Sequence, residues 1–102
     1  MEAFQRSQEY LQTAKAKAKA KGYNPDLLSL DTGPTYKLVY KDGTRTVRFG
    51  RKGYGDHIYY SKFEPEIAEQ KRNTFRKSHG AISRIYGLGK FSPNEMALKI
   101  LW

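Results

Sequence analysis

Two runs that alternate in the manner of strands, Tyr36 to Tyr40 (YKLVY) and Thr44 to Phe49 (TRTVRF), flank Lys41-Asp42-Gly43. No other stretch limits the fold of this chain as closely. A glycine-containing turn between two such runs predicts a β-hairpin. With a period of two, Tyr36, Leu38 and Tyr40 share one face of the first strand and Val47 and Phe49 one face of the second, with Arg45 in phase with them and Arg48 opposite. The apolar side of such a hairpin needs a helix to cover it.

Helical segments flank the hairpin on both sides. Residues 2 to 21 are rich in Ala, Lys, Gln and Glu, all good helix formers, and Gly22 followed by Asn24-Pro25 supplies a stop. Phe4, Leu11, Ala14 and Ala18 fall on one stripe of that helix, which thins to alanine beyond Leu11, so the helix is expected to dock only lightly. Its alternating end, Ala14 to Lys21, admits two readings: a solvated helix terminus whose lysines complement the dipole, or a polyanion-binding arm. Pro65 fits the first turn of a helix running to about His79. Its early Glu64, Glu66 and Glu69 and late Lys71, Arg72, Arg76 and Lys77 follow the order that the helix dipole prefers. Gly80 is expected to break it, residues 81 to 86 to resume it, and Gly87-Leu88-Gly89 to form a joint. Ser92-Pro93-Asn94-Glu95 then starts a short helix, with a capping serine, a proline at the first helical position and a glutamate three residues after the cap. Residues 56 to 63 (DHIYYSKF) remain open between a third strand and a short aromatic helix. The expected fold is therefore α+β: an N-terminal helix, one hairpin with or without that third strand, and two or three C-terminal helices. It divides into a basic Ala/Lys-rich helical arm at 1–22 and a small domain at 23–102.

At 102 residues the chain is long enough for one small core. The aromatic share of 14%, with eight tyrosines, argues for a folded core of amphipathic rings instead of disorder. The absence of cysteine removes disulfides and thiolate chemistry. The longest apolar run is only a few residues and MEAFQRSQEY has no apolar core, so the expectation is a soluble, non-secreted chain with no membrane contact. The net charge of +9 is spread over every segment, which suggests several surfaces facing negative potential.

Candidate chemistry is sparse. Gly50-Arg51-Lys52-Gly53-Tyr54-Gly55 sets two cations among three glycines, either a cradle for phosphate or carboxylate or simply a turn. His57 and His79 stand too far apart for a zinc pair, and Asp56-His57 lacks an accompanying nucleophile. A small metal-dependent nuclease would have to draw on Asp56, Glu64, His79, Arg72 and Tyr59, a pool that any basic chain of this size contains. The expectation is no enzyme, no cofactor, no metal and no small-molecule substrate. For a nucleic-acid or other polyanion partner, the candidate residues are Arg45, Arg48, Arg51, Lys52, Lys71, Arg72, Arg76 and Lys77, with Tyr54, Tyr59 or Tyr60 stacking on exposed bases. For a protein partner they are Tyr60, Ile100, Leu101 and Trp102, because the last helix is largely apolar.

Four segments carry a resemblance: Gly22-Tyr23-Asn24-Pro25, VRFGRKGYGDHIYY (Val47 to Tyr60), KRNTFRKSHG (Lys71 to Gly80) and, most specifically, KFSPNEMALKILW (Lys90 to Trp102). Through them the chain from about residue 22 onward resembles a group of short basic proteins encoded by nucleocytoplasmic large DNA viruses, the chlorella viruses and their giant-virus relatives. The Ala/Lys stretch before it lies outside the pattern. The group has no established enzymatic activity, so the resemblance implies a viral setting, in virions and in host cytoplasm during assembly, without supplying a mechanism. It makes a virion structural protein of the minor capsid type, docked on capsid or other virion proteins, the leading expectation. A DNA-binding protein of genome packaging is the alternative.

Overall fold

The computed structural model describes the backbone of residues 1–102 and every side chain except that of Glu2. In chain order it comprises α1 (Glu2–Gln5), α2 (Gln8–Ala20), a 3-10 turn (Pro25–Leu27), β1 (Leu28–Leu30), β2 (Tyr36–Asp42) and β3 (Arg45–Arg51). These are followed by α3 (His57–Phe63), α4 (Pro65–Tyr86), α5 (Pro93–Met96) and a π-helical segment (Ala97–Leu101). The expected α+β class holds.

The hairpin forms with a tighter turn than expected. Asp42 pairs with Arg45, so the loop is Gly43-Thr44, and Gly43 takes the positive φ of 60° that a two-residue turn with glycine first requires. Leu38 opposes Phe49 and Tyr40 opposes Val47, which puts four of the five apolar side chains of the expected face together in the core, while Tyr36 stays exposed. The third strand comes from Leu28–Leu30, antiparallel to β2 with Leu28 opposite Tyr40 and Leu30 opposite Leu38. Residues 56–63 resolve to helix. The Asp56 carboxylate accepts the Tyr59 N–H at 2.9 Å and starts α3, a local bond that a strand would not offer.

The helix expected over residues 2–21 is broken at Ser7, whose extended backbone lets its hydroxyl cap α2 by accepting the Tyr10 N–H at 3.2 Å. The expectation of light docking is corrected. Tyr10, Ala14 and Ala18 are wholly buried and Leu11 nearly so, and they belong to the one hydrophobic core. Alanine is not a weak end of the stripe here, since its small side chain lets α2 approach the C-terminal π-helical segment closely. Residues 8–20 thus pack into the one hydrophobic core.

Gly80 does not break α4, which runs on to Tyr86 and ends at Gly87 in the left-handed conformation. One interior glycine costs about 1 kcal/mol relative to alanine. That is offset where Asn94 donates from Nδ2 to His79 O at 2.9 Å and to Ser83 Oγ at 2.7 Å, bracketing the glycine.

Ser92 caps α5 as the sequence indicates, accepting the Glu95 N–H at 3.1 Å. The widened π turn that follows directs Ile100, Leu101 and Trp102 inward, at 0%, 1% and 7% exposure. This corrects the expectation that these three residues present a docking surface, because they complete the chain's own core. Trp102 stacks on Phe75 with centroids 4.4 Å apart, and Tyr60, also expected at a partner surface, is half-buried 6.3 Å from the indole. Gly50 marks the crowded point beneath. Its φ is +74°, and a Cβ there would stand 2.6 Å from Leu101 Cδ1. Among the described residues, no helix is long and apolar enough to cross a membrane.

Candidate functional site

A buried ionic knot fixes the elements on which the basic residues stand. Lys37, on β2, places Nζ 2.7 Å from Asp56 Oδ2, and Tyr10 on α2 donates its hydroxyl to the same oxygen at 2.5 Å. Lys37 and Asp56 are 2% and 1% exposed. Burial, and then the adjoining carboxylate, push the Tyr10 phenol well above its ordinary value. One carboxylate therefore joins α2, the sheet and the start of α3. The Gln5 amide completes the link to the glycine loop by donating to Tyr54 O at 2.8 Å and accepting the Gly53 N–H at 3.2 Å.

That loop is no anion cradle. Besides Gly53, the Lys52 N–H donates to Thr35 O at 2.9 Å, and the Lys52 ammonium is tied to Asp31 O and Gly33 O. The amides of Lys52, Gly53 and Tyr54 are consumed by the chain itself, and Lys52 leaves the set of available cations.

The remaining seven predicted cations fall into two groups. On the hairpin, Arg45 lies 4.0 Å above the Phe91 ring and 3.9 Å from Asp42, and Arg48 reaches Asp31 at 3.4 Å. Arg51 is exposed at the edge of a cleft of about 600 Å³ that is also lined by Tyr36, Tyr54, Phe75 and His79. On α4, Lys71 sits over Tyr60 at 5.7 Å, Arg72 meets Glu69 at 3.3 Å, and Arg76 donates to Trp102 O at 3.0 Å. Lys77 is exposed. Of the tyrosines expected to stack on bases, Tyr54 is open at 66% exposure, whereas Tyr59 packs against Tyr60 and Phe63.

The α4 group is extended by Lys17 of α2 and by Lys21 at its C-terminal cap, both within the Ala14 to Lys21 stretch for which the sequence admits a polyanion-binding arm, though neither is among the eight candidate cations. Both lie within electrostatic reach of Arg72 and Arg76 or of each other. Burial first, and then the charges of Arg72, Arg76 and Lys21, bring the Lys17 ammonium down to about 8, against an opposing pull from Asp56. The same field acts on His57, held below its usual value by burial and by Lys17 and Arg72, with Glu69 opposing. Glu69 is itself held low, chiefly by its hydrogen bond from Arg72. Lys21 and Arg76, with Lys99, Glu95, Gly80 and Leu98, also line a depression beside this group. The signal for Lys17 and Lys21 lay in Tyr10. Counted from that residue they are seven and eleven positions on, within about 20° of it around a helix. A stripe centred on Phe4 and Leu11 hides them.

The pool considered for a nuclease is not gathered. Asp56 is buried as a helix cap and lysine partner, and His79 stacks on Phe75 at 3.7 Å. Among the described residues, no group of three or more His, Cys, Asp or Glu side chains is placed to hold a metal ion. Comparison of the chain with protein-family models, with curated proteins and with solved structures gives no match.

Proposed function

We propose that this chain binds nucleic acid without catalysis, laying the second half of α2 and the middle of α4 along backbone phosphates. The observation that carries this reading is the convergence of Lys17, Lys21, Arg72 and Arg76, beside which the acidic partner contacting Arg72, Glu69, is itself exposed. Like charges gathered by packing repel one another, and a polyanion relieves that cost by releasing its own counterions. Lys19 and Lys77 are exposed on the same two helices and extend the positive field. In the viral setting that the sequence motifs imply, the acceptor is the packaged genome.

The test is binding to labelled duplex and single-stranded DNA from about 50 to 200 mM salt. Four phosphate contacts predict a loss of roughly two orders of magnitude in affinity over that range. Each of Arg72→Gln and Arg76→Gln is expected to lower the salt slope by about one. Affinity that is indifferent to salt, or slopes unchanged in both variants, would contradict the reading.

A second reading, a virion structural protein docked on shell proteins, is favoured by a different surface from the one expected. Ile82, Ile85 and Tyr86 on the last turns of α4 are 40%, 74% and 73% exposed. This apolar patch takes the place of Ile100, Leu101 and Trp102 as the candidate docking surface. Absence of DNA binding, together with retention of the chain in purified virions, would favour it over the first.

A further inference from the structure

Among the described residues, two cationic donors in the α2–α4 group have no acceptor. Lys17 Nζ and Arg72 Nε are buried, and neither makes a hydrogen bond. Among the described residues, three other cations in the interior or against it are satisfied: Lys37 by Asp56 and Tyr54 O, Lys52 by backbone carbonyls, and Arg76 by Trp102 O. Buried polar atoms in folded proteins are almost always partnered, and an unpaired buried ammonium is among the most costly groups to leave so. Here the two orphaned donors belong to residues within electrostatic reach of each other, with Lys21 and Arg76 as further cations around Lys17. An acceptor that would satisfy both a lysine and an arginine donor is an anion.

We propose that Lys17 Nζ and Arg72 Nε, flanked by Arg76 and Lys21, form the seat of one tetrahedral oxyanion, a phosphate group. Arginine presents its Nε–H in a fixed fork suited to phosphate oxygens, while lysine adds a point charge that adapts its direction. Glu69 already takes the Arg72 Nη1 at 3.3 Å, leaving Nε for the ligand. Lys21 and Arg76, which flank the seat, are exposed, and Lys17 and Arg72 are half-buried. The seat deepens the nucleic-acid reading in that its phosphate there is a backbone phosphate. Free inorganic phosphate offers the same chemistry.

The groups facing Lys17 give the seat a pH dependence. Burial disfavours its charged form most, Asp56 at the start of α3 favours it, Arg72, Arg76 and Lys21 disfavour it, and the His57 ring of α3 lies within reach of the same charges. The ammonium therefore loses its proton near pH 8 in the free protein, and oxyanion affinity falls as pH rises through that value. A bound anion draws the proton back, so binding above pH 8 takes up a proton.

The experiment titrates the full chain with inorganic phosphate at pH 7 and constant ionic strength, following amide resonances of α2 and α4. Sulfate, which does not titrate in this range, replaces phosphate for a pH series from about 6 to 9. Saturable shifts are expected, weakened roughly tenfold to a hundredfold in Lys17→Met, the loss of one charge-assisted hydrogen bond. Because Lys17→Met removes an unpaired buried charge, it is expected to fold and to melt higher than the parent in anion-free buffer. Arg72→Gln provides a second variant that weakens saturation. A linear response equal to that of chloride, or saturation unchanged in both variants, overturns the seat. DNA binding separates the two claims. Phosphate saturation without salt-dependent DNA binding keeps the seat and removes the nucleic-acid reading, whereas DNA binding without phosphate saturation does the reverse.

Discussion

Asp56→Ala is expected to remove about 3–5 kcal/mol of stability, the usual cost of breaking a buried ion pair from one side. For a domain of this size the total is on the order of 5–15 kcal/mol, so the variant should unfold at a much lower urea concentration than the parent. Three bonds end on this one carboxylate: Lys37 Nζ at 2.7 Å, Tyr10 Oη at 2.5 Å and Tyr59 N at 2.9 Å. Its removal strands the Lys37 ammonium at 2% exposure and also deletes the cap of α3. Combining Asp56→Asn with Lys37→Met removes both charges while keeping a side-chain oxygen for the Tyr59 N–H, and is expected to restore most of the loss. A single Asp56→Ala that unfolds like the parent would show that the knot does not hold the three elements together.

Trp102→Ala is expected to cost about 3–5 kcal/mol through the cavity it leaves, with little change in DNA affinity at a temperature where the variant is folded. The indole is 7% exposed and stacks on Phe75, and the backbone oxygen of the same residue takes the Arg76 guanidinium. Loss of the ring therefore loosens the support of one member of the basic face without deleting its charge. Urea unfolding beside DNA titration checks both halves. Unchanged stability together with a lost protein partner would return Trp102 to a docking role.

The parts of this fold legible in the sequence were those written in short-range patterns. Alternation gave the hairpin faces, because Leu38, Tyr40, Val47 and Phe49 report the pleat directly, and Ser92-Pro93 gave the start of α5 through local bonding preference. The turn lies closer to β3 than expected because Lys41 and Asp42 can either sit in a turn or end a strand, and only the register, Lys41 with Thr46 and Asp42 with Arg45, decides. Leu28–Leu30 is too short for alternation to declare a strand, and it exists because β2 offers it an edge. The helix over 57–63 rests on what Asp56 caps, a role that its sequence neighbours do not reveal.

The site was less legible for the same reason. Lys37 and Asp56 are nineteen positions apart and Tyr10 and Asp56 forty-six, so no local period connects them. Composition identified the cations but not their neutralisation, since Lys52 is consumed by carbonyls of the loop before β2 and Arg48 by Asp31. The hydrophobic last residues pointed outward and inward equally well until the π turn set their direction. Lys17 lies in the stretch that admits a polyanion-binding arm, but its place beside Arg72 follows the stripe of Tyr10, which a stripe through Phe4 and Leu11 passes over.

The central claim, that nucleic acid lies on the α2–α4 face, is most directly tested by adding a short DNA duplex to the isotopically labelled protein and mapping which amide resonances move. The account predicts that the affected residues cluster at 15–21 and 71–77, with the shifts suppressed in Arg72→Gln. Shifts confined to the hairpin arginines or to residues 82–86, or no shifts at low salt, would contradict it.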